Sequence, residues 1–450
     1  MQDLTTGSVT AHLLKTTSFM LVSMVFQTLY VLVDLYWVGR LGTDAVAAVA
    51  ISGNLMFLVL AATQMLGVGT TTLVSHAAGR QDRGRANALF NQAQALSISS
   101  GVVFLVVTLA LSGAYARAMS ADDATTRLAV EYLAWMVPAM ALQFALVAMG
   151  AALRGTGNFK PGMIVQTASV ILNILLAPLL IFGWGTGHAF GVAGAALASF
   201  VAILVGVAWM ATYFAGPSAY LTFSPAGWRP DVRAWVEMLK IGLPAGAEFG
   251  LMAIYLAVVY TVIRPFGASA QAGFGIGLRI MQSGFLPIVA LGFAVAPVAG
   301  QNFGARKPDR VRATFRAAAL IATAGMVVFA LLAHVAPAAL IGVFSDDPAV
   351  IAVGDEYLRI SSWNFVASGL IFVTASMFQA MGNTIPSLVT SFTRILVVAI
   401  PAFLLSRMPG FEMRWIWHLS VVAVALQMSL NLLVLRREFR LRLGFAPSEA

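Results

Sequence analysis

Roughly twelve apolar stretches of about 20 residues or more, separated by short polar loops, fill this 450-residue chain. As an α-helix rising 1.5 Å per residue, each is long enough to cross the hydrocarbon core of a bilayer. They lie near residues 13–38, 46–75, 88–113, 128–152, 162–183, 189–214, 240–264, 269–300, 313–341, 354–380, 386–408 and 416–436. Only 10% of the residues are charged, where soluble domains carry about 25%. The ten-residue alternation of a membrane β-barrel does not occur. The expected fold class is an all-α integral membrane protein with 12 transmembrane helices.

The second constraint is a repeat. Shifting the chain by 225 residues, half its length, aligns Lys15 with Lys240, Gly42 with Gly267, and Gly67, Gly79, Arg85 and Phe90 with Gly292, Gly304, Arg310 and Phe315. In the same register Glu131-Tyr132-Leu133 meets Glu356-Tyr357-Leu358, and Gly157, Asn158 and Pro161 meet Gly382, Asn383 and Pro386. Each half has an even number of spans, so both run the same way through the membrane. Two six-helix lobes related by a pseudo-two-fold along the membrane normal follow, an arrangement that places substrate between rocking halves. The lobes are residues 1–214 and 240–450. Residues 215–239, with Pro217, Pro225, Pro230, Arg229 and Arg233, read as a cytoplasmic linker, either a plain connector or one holding a short amphipathic piece on the membrane surface.

The net charge of +9 has its source in topology rather than in nucleic-acid binding. With the N-terminus inside, the inner loops hold 18 Lys and Arg against 8 outside. The positive-inside rule then expects a multi-pass protein of the plasma (inner) membrane with both termini cytoplasmic and the first span as insertion signal. Cysteine is absent, so neither disulfides nor thiolate metal sites can form.

Polar residues inside the spans carry the chemistry. Asp34 sits in the first span, and Tyr30, Gln27 and Ser23 precede it at helical intervals on one face. A carboxylate in mid-membrane costs ~2.5–3.5 kcal/mol and marks a cavity, a partner helix or an ion path. A proton bound there on one side and released on the other carries work, ~2.3 kcal/mol per charge per 100 mV. The competing reading is a carboxylate near a helix end that pairs with Arg40. The repeat partner of Asp34 is Val259, so the lobe does not need the acid structurally. Gln166, Ser169 and Asn173 form a second polar stripe, with Asn173 expected as a hydrogen-bond partner to Asp34 or its ion, or as glue between helices. Glu248 is the other acid well inside a span, placed to meet a cationic substrate or a second proton, or to pair with Arg279 or Arg394. Met252 and Tyr255 share its helix face. The five histidines are dispersed, so no metal site is expected. No nucleotide loop, nucleophile elbow or catalytic carboxylate pair occurs, which points away from an enzyme and towards an ion gradient or an external subunit as the energy source.

The stretches LVDLYWVGRLGTDAVAA (32–48), GVGTTTLVSHAAGRQDRGRA (67–86), LRGTGNFKP (153–161), ILNILLAPLLIFG (171–183), GVAGAALAS (191–199) and GLPAGAEF (242–249) resemble the multidrug and toxic compound extrusion (MATE) family. The resemblance covers essentially the whole chain. It implies twelve helices in two lobes and export of cationic or amphipathic compounds in exchange for H+ or Na+, with no other cofactor. It carries over Asp34, Asn173 and, in span six, Ser199 as the cation-coupling residues. It also shows departures. Ala177 replaces a second carboxylate, Phe19 stands where many members open span one with a proline, and Met252 and Ser368 occupy the acidic positions of sodium-coupled members. The pattern is similar to the DinF-like subgroup, with coupling in the first lobe.

The expected function is thus a secondary active exporter with alternating access. Asp34, Asn173 and Ser199 couple the cation, and Gln27, Tyr30, Glu248, Met252 and Tyr255 meet the substrate. Its partners are small amphipathic or cationic molecules and membrane lipid, with no nucleic acid, and it is expected to act as a monomer. The alternatives are a flippase or exporter of a lipid-linked or metabolite substrate, a membrane-embedded enzyme, and a major-facilitator-type transporter. The last rests on GRQDRGRAN (79–87), a partial match to the loop of that superfamily.

Overall fold

The computed structural model describes residues 1–185, 187–216 and 219–444. The apolar runs form α1 (Val9–Gly39), α2 (Thr43–Gly79), α3 (Arg83–Met119), α4 (Asp123–Gly155), α5 (Lys160–Phe182), α6 (Gly191–Ala215), α7 (Val232–Ile263), α8 (Ala268–Gly304) and α9 (Pro308–Val335). After them come α10 (Pro337–Gly342), α11 (Pro348–Ser361), α12 (Asn364–Ala380), α13 (Ile385–Leu405) and α14 (Arg414–Arg442). Eleven of these are long and apolar enough to cross a membrane, and α11 with α12 makes a twelfth span bent by 57°. Helices suit this solvent because they satisfy every backbone donor within the segment.

Three boundaries differ from the sequence reading. The span expected at 313–341 stops at Val335, and Pro337, which cannot donate a backbone hydrogen bond, opens the separate turn α10. The span expected at 354–380 breaks around Ser362 and Trp363, where Trp363 N donates to Ile360 O and Phe365 N to Ser362 O, both i−3 rather than i−4. The seventh helix begins at Val232, about two turns before the expected 240.

The turns repeat with the lobes. Among the described residues, Gln81 and Arg306 are the non-glycine residues with positive φ, 58° and 55°, and they are repeat partners. Each closes the tight basic loop between its lobe's second and third helices. Gly157 and Gly382, with φ of 76° and 73°, do the same after the fourth span and its counterpart. Left-handed backbone of this kind favours glycine, which accounts for the GN pair recurring there.

The chain divides into two compact units. The first holds Met1–Asp3 and Ser18–Leu243, the second Leu4–Thr17 and Pro244–Ala450. In the first unit α2 packs on α3 and α4, α3 on α4, α4 on α6, and α5 on α6. Tyr132, Met136, Met140 and Phe144 of α4 are buried at its centre with Phe90 and Phe214. In the second unit α8 packs on α9, α11 and α12, α9 on α12, α14 on α11 and α12, and α13 on α14. Phe365, Met377 and Phe378 of α12 supply the matching core.

The linker packs as part of the first unit. Asn91 Oδ1 accepts from Ser224 N (2.9 Å) and Trp228 Nε1 (3.0 Å), Gln92 Nε2 donates to Gly227 O and Arg229 O (both 2.7 Å), and Arg83 Nε donates to Tyr220 O (2.9 Å). Among the described residues its helical content between Gly216 and α7 is one 3-10 turn, Pro225–Trp228. The fold therefore holds the segment by side chains of α3. Pro217 lies outside the described residues. The N-terminal segment is bound in the same manner within the second unit. Leu4 is fully buried, Leu4 N donates to Gln301 Oε1 (3.0 Å), and Lys307 Nζ and Arg310 Nη1 donate to the carbonyls of Thr5 and Gly7 (both 3.0 Å).

Candidate functional site

In the first lobe the two polar stripes converge on a serine. Tyr30 Oη hydrogen-bonds to Ser199 Oγ at 2.9 Å, and Asn173 Nδ2 donates to the same oxygen at 3.1 Å. Ser199 Oγ in turn donates to Ala195 O at 3.3 Å. A hydroxyl has one proton and two lone pairs, so this serine is fully used: α1, α5 and α6 each supply one member of a closed relay. Asn173 and Ser199 are 3% and 2% exposed.

Asp34 stands one helical turn beyond Tyr30 and is 9% exposed. Its Oδ1 meets no hydrogen-bond donor among the described residues. Leaving a buried acceptor unpaired costs ~1–3 kcal/mol, more for a charged one. Arg40 does not relieve it. That guanidinium donates to Tyr36 Oη and lies over the Tyr36 and Trp37 rings, 4.8 and 5.4 Å from their centroids. The Asp34–Arg40 pairing is therefore not formed. Tyr30 and Tyr132 are the polar neighbours of Asp34. Tyr132 is 1% exposed and lies near Ser52.

The second lobe repeats the relay without the acid. Tyr255, the repeat partner of Tyr30, hydrogen-bonds to Ser420 Oγ at 3.2 Å, and Asn364 Nδ2 donates to Ser420 Oγ at 3.4 Å. Val259, at the repeat position of Asp34, is 1% exposed in the apolar core. The asparagine comes from α12 and the serine lies one turn from the repeat position of Ser199, while Val398 occupies the repeat position of Asn173. Glu248 is half-buried and faces Ser387 and Arg394 of α13. Arg394 lies 5.4 Å from the centroid of the Tyr255 ring.

The fold thus brings Tyr30, Asn173 and Ser199 together with Asp34 a turn away, and places Tyr255 and Glu248 in a cluster of their own. Gln27 is exposed, and Met252 is 40% exposed, so neither joins a cluster. Among the described residues no group of three or more His, Asp or Glu converges as a metal site. Tyr132, Ser52, Asn364 and Ser420 escaped the sequence reading. Tyr132 alone left a signal, since Glu131-Tyr132-Leu133 recurs at 356–358, and both tyrosines prove to be buried beside their lobe's relay.

Comparison with known proteins agrees with this architecture. The MatE family model matches residues 20–179 and 244–404, one stretch in each lobe. The probable multidrug resistance protein YoeA of Bacillus subtilis is 27% identical over 403 residues, which span 88% of this chain and 87% of that protein. The multidrug export protein MepA of Staphylococcus saprophyticus is 25% identical over 422 residues, 92% and 91% of the two chains. Among solved structures, an outward-facing multidrug resistance MATE family transporter of the MOP superfamily superposes with a TM-score of 0.89 over 98% of both chains, at 24% identity. MATE in its bent conformation gives 0.91 over 98% of this chain and 97% of that one, at 23% identity.

Proposed function

Because this chain belongs to the MatE family, we propose that it is a secondary active exporter of small amphipathic or cationic compounds, driven by exchange for H+ or Na+. The observation that carries this reading is Asp34, a buried carboxylate with an unpaired oxygen beside the Tyr30–Ser199–Asn173 relay. An unpaired acceptor in a low-dielectric site is stabilised by a proton or a small cation, and either can leave again when the site opens to the other side. The relay holds Tyr30 and Asn173 in fixed positions, so occupancy of Asp34 is read by the helices that carry them. Alternating access of the two lobes then converts ion binding on one side into release of substrate on the same side.

The names of the relatives support a multidrug substrate range. The presence of the acid in the first lobe alone supports the DinF-like placement of coupling. The family membership takes the place of the major-facilitator alternative. Gln27, Tyr30, Glu248, Met252 and Tyr255 are retained as substrate-facing residues. The protein works as a monomer in the plasma (inner) membrane with both termini cytoplasmic, as the distribution of Lys and Arg favours.

Dye efflux from reconstituted vesicles under separate proton and sodium gradients tests the reading. One gradient drives wild-type efflux, and Asp34→Asn reduces it to the leak rate while dye still binds. Full-rate efflux in Asp34→Asn removes this residue from the mechanism.

A further inference from the structure

The second lobe contains a charged group that coupling through Asp34 does not use. Arg394 lies near the middle of α13, where the first lobe carries Ser169, its repeat partner. A guanidinium at that depth is costly and is retained where it meets a partner or a ligand. Its buried Nε meets no acceptor among the described residues. Glu248 is its charged neighbour, yet the two form no direct ion pair.

Two helix faces frame the gap. On α7, Glu248 and Tyr255 are seven residues apart. On α13, so are Ser387 and Arg394, with Ser391 between them. Glu248 faces Ser387, and the Tyr255 ring lies under Arg394. The faces therefore run alongside each other with a negative group at one end and a positive group at the other. Gln427 Nε2 donates to Ser391 at 3.0 Å, and its other amide atom is buried and unpaired. The guanidinium, held over an aromatic face, presents the planar fork that binds a carboxylate through two parallel hydrogen bonds.

We infer that the second lobe holds a binding site for amphoteric compounds, in which Arg394 receives a carboxylate and Glu248 the ammonium of the same molecule. A purely cationic ligand satisfies Glu248 but is repelled by Arg394, and a purely anionic one meets the reverse. A ligand carrying both charges, separated by a few bonds, neutralises both groups at once. Arg394 is then a specificity-determining residue. This inference rests on the exporter reading for its biological use, but the binding itself needs no ion gradient.

The test uses three probes that share one fluorophore and are titrated against the purified full-length protein in detergent. Nε-dansyl-lysine carries both charges, its methyl ester lacks the carboxylate, and its Nα-acetyl derivative lacks the ammonium. Wild type is expected to bind the zwitterion at least about tenfold more tightly than either relative. Arg394→Gln removes the advantage over the methyl ester, and Glu248→Gln removes the advantage over the acetyl derivative. Equal affinity of wild type for all three probes overturns the inference, and needs no variant to fold. An unchanged probe ratio in Arg394→Gln, with or without a lowered Tm, also overturns it and leaves Arg394 as a structural charge. Failure of gradient-driven efflux in vesicles, with the probe ratios as expected, sinks the exporter reading and leaves this one standing.

Discussion

The two lobes share a scaffold and differ in chemistry. Each has a tyrosine at the same repeat position, Tyr30 or Tyr255, bonded to a serine that also accepts from an asparagine. One turn further along, the first lobe has Asp34 and the second has Val259. On the fifth span of each lobe, Ser169 in the first becomes Arg394 in the second. The relay is thus the common part and the charges are the specialised part. A duplicated six-helix module can carry a carboxylate or do without it, so the helices around Asp34 do not explain its presence. The charge balance differs accordingly. The cluster around Asp34 offers a negative group without a cation bonded to it, and the cluster around Glu248 offers one charge of each sign.

The comparison can be broken most sharply at the acid. Asp34→Asn is expected to abolish gradient-driven efflux, whereas Val259→Ala at the same position of the second lobe leaves coupling intact, as vesicle assays under matched gradients will show. A loss of coupling in both variants would make the two positions equivalent and end the distinction drawn here.

A second difference lies in helix approach. Within the first unit, a Cβ at Gly242 or at Gly69 would run into the backbone carbonyl of Met65 or Met238. The repeat partners are Thr17 and Ala294, so glycine is not repeated at either position. Gly242→Ala should cost ~1–3 kcal/mol through forced displacement, measured as a lowered Tm in detergent, whereas Ala294→Gly should produce no overpacking loss.

The serines offer a finer test. Ser199→Ala leaves both Tyr30 and Asn173 without their shared partner, at ~1–3 kcal/mol. Ser420→Ala breaks the longer bonds of the second lobe and should cost roughly 1 kcal/mol or less. Thermal unfolding that ranks the two in the opposite order would mean that bond length here does not report strength.

The smallest effect is expected outside the membrane, where the lobes agree. Asp122 and Asp347 are repeat partners that cap α4 and α11, accepting from Thr125 N at 2.7 Å and Ala349 N at 2.9 Å. The hydrogen bonds from Thr125 hold the Asp122 carboxyl below its ordinary value. A folded-state value below the unfolded one means that the cap stabilises above the ordinary carboxylate range and loses its effect as pH falls through the folded value. Asp122→Ala should therefore lower Tm slightly at neutral pH and not at all in strong acid. An equal loss at both would assign the effect to something other than the ionised cap.

The sequence by itself determined the number of spans, the duplication, the family and the helix faces bearing Asp34, Tyr30 and Asn173. These follow from local rules, because hydrophobic length and helical period act over a few turns and a repeat needs only a register. Tertiary structure alone decided that Ser199 joins Tyr30 to Asn173, partners 169 and 26 residues away from it. It also turned Arg40 away from Asp34, laid the linker on α3, set Leu4–Thr17 into the second unit, and stacked Arg394 on Tyr255. Each of these is a meeting of groups distant in the chain, or a choice among several donors within reach. Periodicity shows which face of a helix a residue occupies, but only the packing of one helix on another selects what that face meets.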